Sequence, residues 1–588
     1  MVSRSPSDFT VFVLVLTLLG SGAIALAQSP ASKASPDIAL RRGQEALKKG
    51  DLNQARAELE QAVRLAPGDA AAQSELGWVL ALEGQTDAAI EHLRAAIQLK
   101  PSFVNARVTL ASVLSQQGKT EQAEQELRAA LKIAPDNAEA HRMLAKVLSA
   151  SPGDEALTEM QRAVDLAPKR ADIRDELGTI LAQRNRDQQA TAAFKEALSL
   201  NPDLELAHFH LGVEELRAHN LEGAARELRR ATQLAPQHAE AHYYLAKVLA
   251  EQSQNTEALA ELRQAAALRP AWFDVQVELG IACQRAGDVE GAEEAFNQAL
   301  KLRPQDAELY NDLGLTLLQK GDAEKAIPQF QKAVQLRPQD GSFRGSLGVA
   351  YLQLTNFDAA VAELETGIKI APGDPTLHYN LALAYKLKDQ LDKAVVEFQE
   401  AIRVNPDLAD AHYALGVLFW QRGEFDHAAD ELRKSLQSKP DYAEAHYTLG
   451  AVYKQQGKPA DAARELREAI RLQPDFAGAH TTLAGVLRQL GDTDGAGSEA
   501  KEGARISAMV NNLQAATVST NSGKRLLAAG DLEGAISQFR SAIHSEPKYA
   551  AAHYQLGLAL RQSGQAEEAE REFEKAAELD PQLKPPNR

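Results

Sequence analysis

Proline sets the period of this chain. Pro67, Pro101, Pro135, Pro168, Pro202, Pro236, Pro270, Pro304, Pro338, Pro372, Pro406, Pro440 and Pro474 follow one another at 34 residues, with a single step of 33, and Pro547 and Pro581 resume the spacing. Nine residues after most of them comes Leu followed by Gly or Ala, as in Leu76-Gly77, Leu279-Gly280, Leu415-Gly416 and Leu556-Gly557, and twelve residues beyond that pair comes alanine. A chain this periodic multiplies every apparent motif, so the repeat is read before any site.

Each unit has the pattern of two antiparallel helices. From Ala409 to Tyr442, His412, Leu415, Gly416 and Phe419 fall at i, i+3, i+4, i+7 and form one stripe on a first helix. Gly423 breaks it at a turn; Ala428, Ala429, Leu432 and Leu436 stripe a second helix, which Pro440 ends. The small Gly416 and Ala428 let the two helices approach closely. One such pair cannot bury its stripe alone, so the pairs must stack. The alanine-rich composition, with 5% aromatic residues, suits thin packed helices better than a few large cores.

The proline, the Leu-Gly or Leu-Ala pair, the mid-repeat glycine and the alanine at this period resemble the tetratricopeptide repeat, in sixteen copies from Pro36 to Leu583. The resemblance implies an all-α fold: a right-handed superhelical solenoid of stacked antiparallel helix pairs, whose concave side is lined by first helices and holds a peptide or protein segment. One departure stands out. The fourth position, a tryptophan in the family pattern, is most often histidine here: His141, His208, His242, His378, His412, His446, His480 and His553. A side chain repeated in every layer reads as a packing spacer, replaceable by phenylalanine, rather than as a catalytic acid or base. A metal ladder is the sharper alternative, but neighbouring helices stand about 8 to 10 Å apart while zinc needs nitrogens at about 2.0 to 2.1 Å. His238 and His242 of HAEAH have i, i+4 spacing without an evident third ligand.

Other chemistry finds no support. A net charge of -17 argues against nucleic acid as the partner, since phosphate binding needs a clustered basic surface. Cys283, the sole cysteine, sits where other repeats carry Leu317, Tyr351 or Phe419 and reads as a core filler. GKT at 118–120 has Val113 where a phosphate loop needs glycine. No GxSxG, HExxH or CxxC occurs, and no cofactor or metal is expected. Glycosyltransferases fused to such arrays line the groove with asparagines; at the sixth position only Asn380 fits. The carboxylate clamp of chaperone-binding arrays needs asparagine at the ninth position, where Trp78, Ser112, Lys146, Val213, Leu315 and Val417 stand.

By analogy with the family, positions 2, 5, 9 and 12 of the first helix face inward, and their i, i+3, i+7, i+10 spacing places them on one strip. In repeats 11 to 14 that strip carries Tyr379, Tyr413, Tyr447 and Thr481, then Lys386, Trp420, Lys454 and Arg488, accompanied by Gln421, Gln455 and Gln489. The ninth position shrinks from Leu383 to Val417, Ala451 and Gly485, deepening the groove. Aromatics, amides and cations on an acidic protein suit an extended acidic peptide. Two other readings stay open: solvent-facing consensus residues, and a glycan stacked on the rings.

The ends differ from the array. Arg4, the apolar FTVFVLVLTLLG and Ala25-Leu26-Ala27 before Gln28 read as a signal peptide over 1–27, so a periplasmic or extracellular location is expected, with no integral membrane span after cleavage. An uncleaved anchor is the alternative. Residues 28–35 read as a linker, 36–510 as repeats 1 to 14, 511–515 as an irregular joint, 516–583 as repeats 15 and 16, and 584–588 as a tail. The joint is expected because Ala508 replaces the proline and five extra residues follow. The function read from this is a non-catalytic protein-interaction scaffold of the cell envelope. The alternative is a recruiting subunit of an envelope enzyme or polysaccharide-export complex, with catalysis in another chain.

Overall fold

The computed structural model describes residues 35–583. The expected signal segment 1–27, the linker up to residue 34 and the tail 584–588 lie outside the described residues. Among the described residues the backbone forms 31 α-helices, numbered α1 to α31 in chain order, and no strands. They fall into two compact units, one ending at Leu302 and one beginning at Arg303. Within each unit, consecutive helices pack as pairs and the pairs stack on their neighbours.

Local chemistry starts and stops these helices. Asp69, Asp306 and Asp374 cap first helices, and Asp51, Asn220 and Asn356 cap second ones, each side chain accepting a backbone N–H from the first turn. The turn after the first helix demands a left-handed residue. Glycine supplies it at Gly423 (φ 77°), whereas Thr355 (φ 56°) holds the same place at a steric cost.

The pair is held by a small residue against a large one. An ideal Cβ on Gly416 would lie 2.8 Å from Leu432 Cγ, and one on Gly314 would lie 2.5 Å from the Phe330 ring, so the missing side chain is the room the second helix fills. Phe194, Phe296, Phe330, Phe398 and Phe539 are the largest side chains buried this way. In repeat 14 the large residue is replaced by the half-buried Ala500.

The fourth-position histidines are polar clamps, which corrects the expectation of a spacer that phenylalanine could replace. In all eight, Nδ1 meets a glutamate of the second helix at 2.5 to 2.8 Å, as in His412 with Glu431 at 2.6 Å. Nε2 of the same rings meets the carbonyl of the preceding loop proline at 2.8 to 3.2 Å, as in His412 with Pro406 at 3.0 Å. In five repeats without histidine another donor reaches that carbonyl, Gln73 to Pro67, Arg107 to Pro101, Arg174 to Pro168, Gln276 to Pro270 and Tyr310 to Pro304, whereas Arg344 turns to Glu363. Phenylalanine at 412 would strand a carbonyl and part of a carboxylate in a site where the histidine side chain is only 4% exposed.

The expected irregular joint at 511–515 is helical. α28 runs unbroken from Thr493 to Ala528, so it supplies the second helix of repeat 14 and the first helix of repeat 15. Its first half packs on α27 (Ala477–Gln489) and its second on α29 (Leu532–Ser545). The reason is local: Ala508 removes the stop that proline gives elsewhere, and residues 504–522 contain no proline or glycine to turn the chain. Sixteen pairs thus arise from 31 helices.

Two outcomes follow from this geometry. Two acceptors around one ring require two N–H donors, so the clamp is complete only with a doubly protonated imidazole. Bonding to Glu261, against the opposing effect of burial, holds His242 above its ordinary value of 6.5, and Glu572 does the same for His553. Burial opposes the charge of His446, yet Glu465 and the Pro440 carbonyl hold it above that value too. Burial likewise disfavours the charged Glu431 and Glu465, but their histidine partners, with Lys434 and Arg464, hold both below 4.5. A raised histidine stabilises fully below 6.5 and loses its contribution as pH climbs through its folded value; a depressed glutamate contributes above 4.5 and loses it in acid. The triple variant His242→Gln, His446→Gln, His553→Gln keeps the carbonyl bond as Gln276 does, so its thermal midpoint is expected to fall less than the parent's on going from about pH 6 to about pH 9. Equal slopes reject charged clamps. Separately, Ala508→Pro, which restores the periodic proline, is expected to cost about 3 kcal/mol by breaking α28, read as a lower urea midpoint.

Candidate functional site

The four first helices of repeats 11 to 14 are α21 (Pro375–Leu387), α23 (Ala409–Gln421), α25 (Ala443–Gln455) and α27. All lie in the second unit, and α23 packs beside α25 as α25 does beside α27. The expected strip residues divide into two groups. Tyr379, Tyr413, Tyr447, Trp420, Lys386 and Lys454 are half-buried, whereas Gln421, Gln455 and Arg488 are exposed.

The tyrosine row is built into the stack. The Tyr413 ring lies 4.9 Å from that of Tyr442, and Tyr447 lies 4.7 Å from Phe476, each partner belonging to the loop that opens the next repeat. Burial pushes the Tyr413 hydroxyl up, while a hydrogen bond with Thr448 pulls the other way. Tyr379 packs on Phe398 at 5.7 Å. Trp420 covers the cluster of Ala428, Ala429, Leu432, Leu449 and Val452. Tyr413, Tyr447 and Trp420 join one repeat to the next while Tyr379 packs within its own pair, and all present only part of their faces outward.

The cations are placed differently. Lys454 Nζ stands 3.6 Å from where a Cβ on Gly485 would be, so the small ninth position of repeat 14 leaves room for the lysine of repeat 13. Among the described ion pairs, none engages Lys386, Lys454 or Arg488, although Arg422, Arg433, Lys434 and Arg464 on neighbouring surfaces are all paired. The strip therefore offers exposed amides, the exposed Arg488 and the half-buried Lys386 and Lys454 above a partly covered aromatic row, with the exposed carboxylates of Asp410 and Glu444 at its second position.

Sequence reasoning missed Tyr442 and Phe476, along with the exposed Asp410 and Glu444 at the second position. Burial and the nearby Asp410 carboxylate raise the Tyr442 hydroxyl, and Lys439 lies 4.3 Å over its ring. A signal was available: the residue two after the proline is aromatic at Phe103, Trp272, Tyr442, Phe476 and Tyr549. The remaining candidates are structural in their surroundings. Cys283 is buried, and burial with Asp288 beside it pushes its thiol up to about 11. His238 turns to Glu205 while His242 turns to Glu261 and Pro236, so the two rings of HAEAH serve different partners. Among the described residues no group of three or more His, Cys, Asp or Glu is arranged to hold a metal ion, and no helix is long and apolar enough to cross a membrane.

The repeat geometry has a family. A tetratricopeptide repeat model matches residues 40–102, 153–205, 209–271, 277–341 and 520–584, more than half of the chain. A second matches 80–147 and 317–384, and others match 386–423, 418–457 and 443–476. The chain belongs to the tetratricopeptide repeat family, a fold typical of protein–protein interaction scaffolds. No curated protein matches it. Similar solved structures include the APC/C hetero-tetramer Cut9–Hcn1 (16% identity, 77% of this chain and 96% of that one, TM-score 0.36) and yeast Tom70 (17%, 74% and 99%, TM-score 0.33). YrrB, titled a TPR protein with an unusual peptide-binding site, shares 24% identity over 32% of this chain and 97% of its own, with a TM-score of 0.27. At these TM-scores the family assignment rests on the repeat models.

If the tyrosines are inter-repeat joints, their truncation is felt without any ligand. Tyr413→Ala and Tyr447→Ala are each expected to cost about 2 kcal/mol, against less than about 1 for Tyr447→Phe, which keeps the ring pair. Urea denaturation of the free protein measures this; unchanged midpoints for both alanine variants would make the rings free groove residues.

Proposed function

We propose that the protein is a non-catalytic scaffold of the cell envelope that holds an extended acidic peptide along the strip of repeats 11 to 14. The observation carrying this reading is the row of unpaired cations, Lys386, Lys454 and Arg488, above partly exposed aromatics on a chain of net charge -17. A −17 protein repels an acidic segment almost everywhere else, so a local cationic row both steers it and fixes its register. Four first helices about 9 to 10 Å apart span about 30 Å, which an extended peptide of about nine or ten residues covers. Gln421, Gln455 and Gln489 can then donate to its backbone carbonyls. Location in the envelope rests on the sequence of residues 1–27 alone.

The probe is a pool of fluorescent acidic peptides of about ten residues with one aromatic each, matched by a basic pool of equal length. Anisotropy is expected to show salt-sensitive binding of the acidic pool only. Lys454→Ala with Arg488→Ala is expected to weaken it about tenfold at low salt and to flatten its salt dependence. Arg488 is exposed and Lys454 half-buried beside Gly485, so circular dichroism and the urea midpoint of the double variant are expected to match the parent and are checked first. Binding that is equal for both pools, or indifferent to the double variant, rejects the strip. Export is tested apart from this: the mature chain recovered from an envelope fraction is expected to begin at Gln28.

A further inference from the structure

The charges of the strip are sorted by edge. The second position carries the exposed Asp410 and Glu444 in repeats 12 and 13, whereas the twelfth carries Lys386, Lys454 and Arg488 in repeats 11, 13 and 14. The same offset joins Tyr413 to Tyr442 and Tyr447 to Phe476, so neighbouring first helices repeat in one direction. Ten residues of helix then set a line of carboxylates about 15 Å from a line of cations. Among the described ion pairs none engages Asp410 or Glu444, while Glu431 and Glu465 nearby are both paired. Helix ends do not demand the cations: the twelfth position is Ala81, Ser115, Leu318 and Leu352 in other repeats. A segment lying along the strip meets cations on one flank and carboxylates on the other, so its acidic side chains must all point one way.

Backbone conformation decides whether they can. Neighbouring first helices stand about 8 to 10 Å apart. A β-strand returns to one flank every second residue, after about 6.7 Å, which does not match that spacing. Polyproline II has three residues per turn and a rise of about 3.1 Å, so every third side chain returns to one flank after about 9.3 Å. An α-helix returns after seven residues and about 10.5 Å, but its backbone groups are bonded within it. Gln421, Gln455 and Gln489 present exposed amides at the layer period, and polyproline II leaves its carbonyls free to accept from them. The partly exposed rings of Tyr413, Trp420 and Tyr447 suit the same conformation, which docks on aromatic-lined grooves.

We propose that the strip of repeats 11 to 14 takes its partner as a polyproline II segment with an acidic side chain at every third residue, directed at Lys386, Lys454 and Arg488 and away from Asp410 and Glu444, which rests on the acidic-peptide reading of the same strip. The probes are two fluorescent ten-residue peptides of one composition, six prolines and four glutamates. One has glutamate at every third position, the other at every second position from the same end. Their net charge is equal, but in the second peptide two of the four glutamates share a flank. Anisotropy at low salt is expected to show the first binding about fivefold or more tighter. Asp410→Asn with Glu444→Gln is expected to narrow that gap by tightening the second peptide, while the first changes less than about twofold. Asparagine keeps the acceptor that Asp410 offers to the Tyr442 hydroxyl, and the urea midpoint of the variant is checked against the parent first. Equal binding of the two peptides, or tighter binding of the second, overturns the proposal and leaves the strip as an acidic-peptide site. A gap unchanged in the double variant overturns it through the carboxylate flank. Binding of neither peptide overturns it too; if the mixed acidic pool also fails to bind, the reading of the strip falls with it.

Discussion

Where the fourth position of the first helix is histidine, its side chain ties three parts of the repeat together. The loop proline has no N–H and leaves a carbonyl at a tight corner, where no helical partner takes it. His412 reaches back six residues to that carbonyl and across nineteen to Glu431 with the other end of its ring. Corner, first helix and second helix are then positioned by one imidazole. That the carbonyl accepts from histidine, glutamine, arginine or tyrosine in different repeats identifies what the position requires, which is a donor of the right reach rather than a particular shape. A tryptophan at this place would fill volume; the polar clamp trades volume for bonds, consistent with a chain that is only 5% aromatic.

This explains which parts of the fold were legible from residues alone. Helix pairs, the small residues that let them approach and their number could be read because each is a spacing repeated in the chain, whereas the large residue facing Gly416, Leu432, needed the structure. The clamp could not, although its glutamate recurs at fixed distance, because a half-polar stripe position reads equally well as a spacer until the second helix fixes what faces it. The joint went the other way. A missing proline and five added residues look like a break in a pattern whose repeats end at proline, but residues 504–522 hold neither proline nor glycine, and the chain stays helical through them. Gly503 and Gly523, which flank them, are packing residues against α27 and α29 rather than turn residues.

The strip of repeats 11 to 14 shows the same limit at a finer scale. Positions on a helical wheel told which residues share a side, and in the structure Lys454 stands beside Gly485 of the next repeat. A wheel contains no loops, so Tyr442 and Phe476, which stack on two of the three tyrosines, had no place on it. Their presence shifts weight from the aromatics to the cations: a ring already stacked on its neighbour has less surface to give, while an unpaired lysine keeps its full charge.

A repeat array is stabilised by what every layer shares, so whatever distinguishes one array from another must lie where layers differ. Departures that leave packing intact, such as an unpaired cation at the twelfth position, add chemistry to a surface without altering the stack. Departures that touch packing change the stack itself. In repeat 14 these coincide: Ala500 replaces the large buried residue, Ala508 replaces the proline, and the helix that results outruns the neighbours available to cover it. An apolar stripe that continues past its cover, without a single charge over eighteen residues, exposes surface that water disfavours.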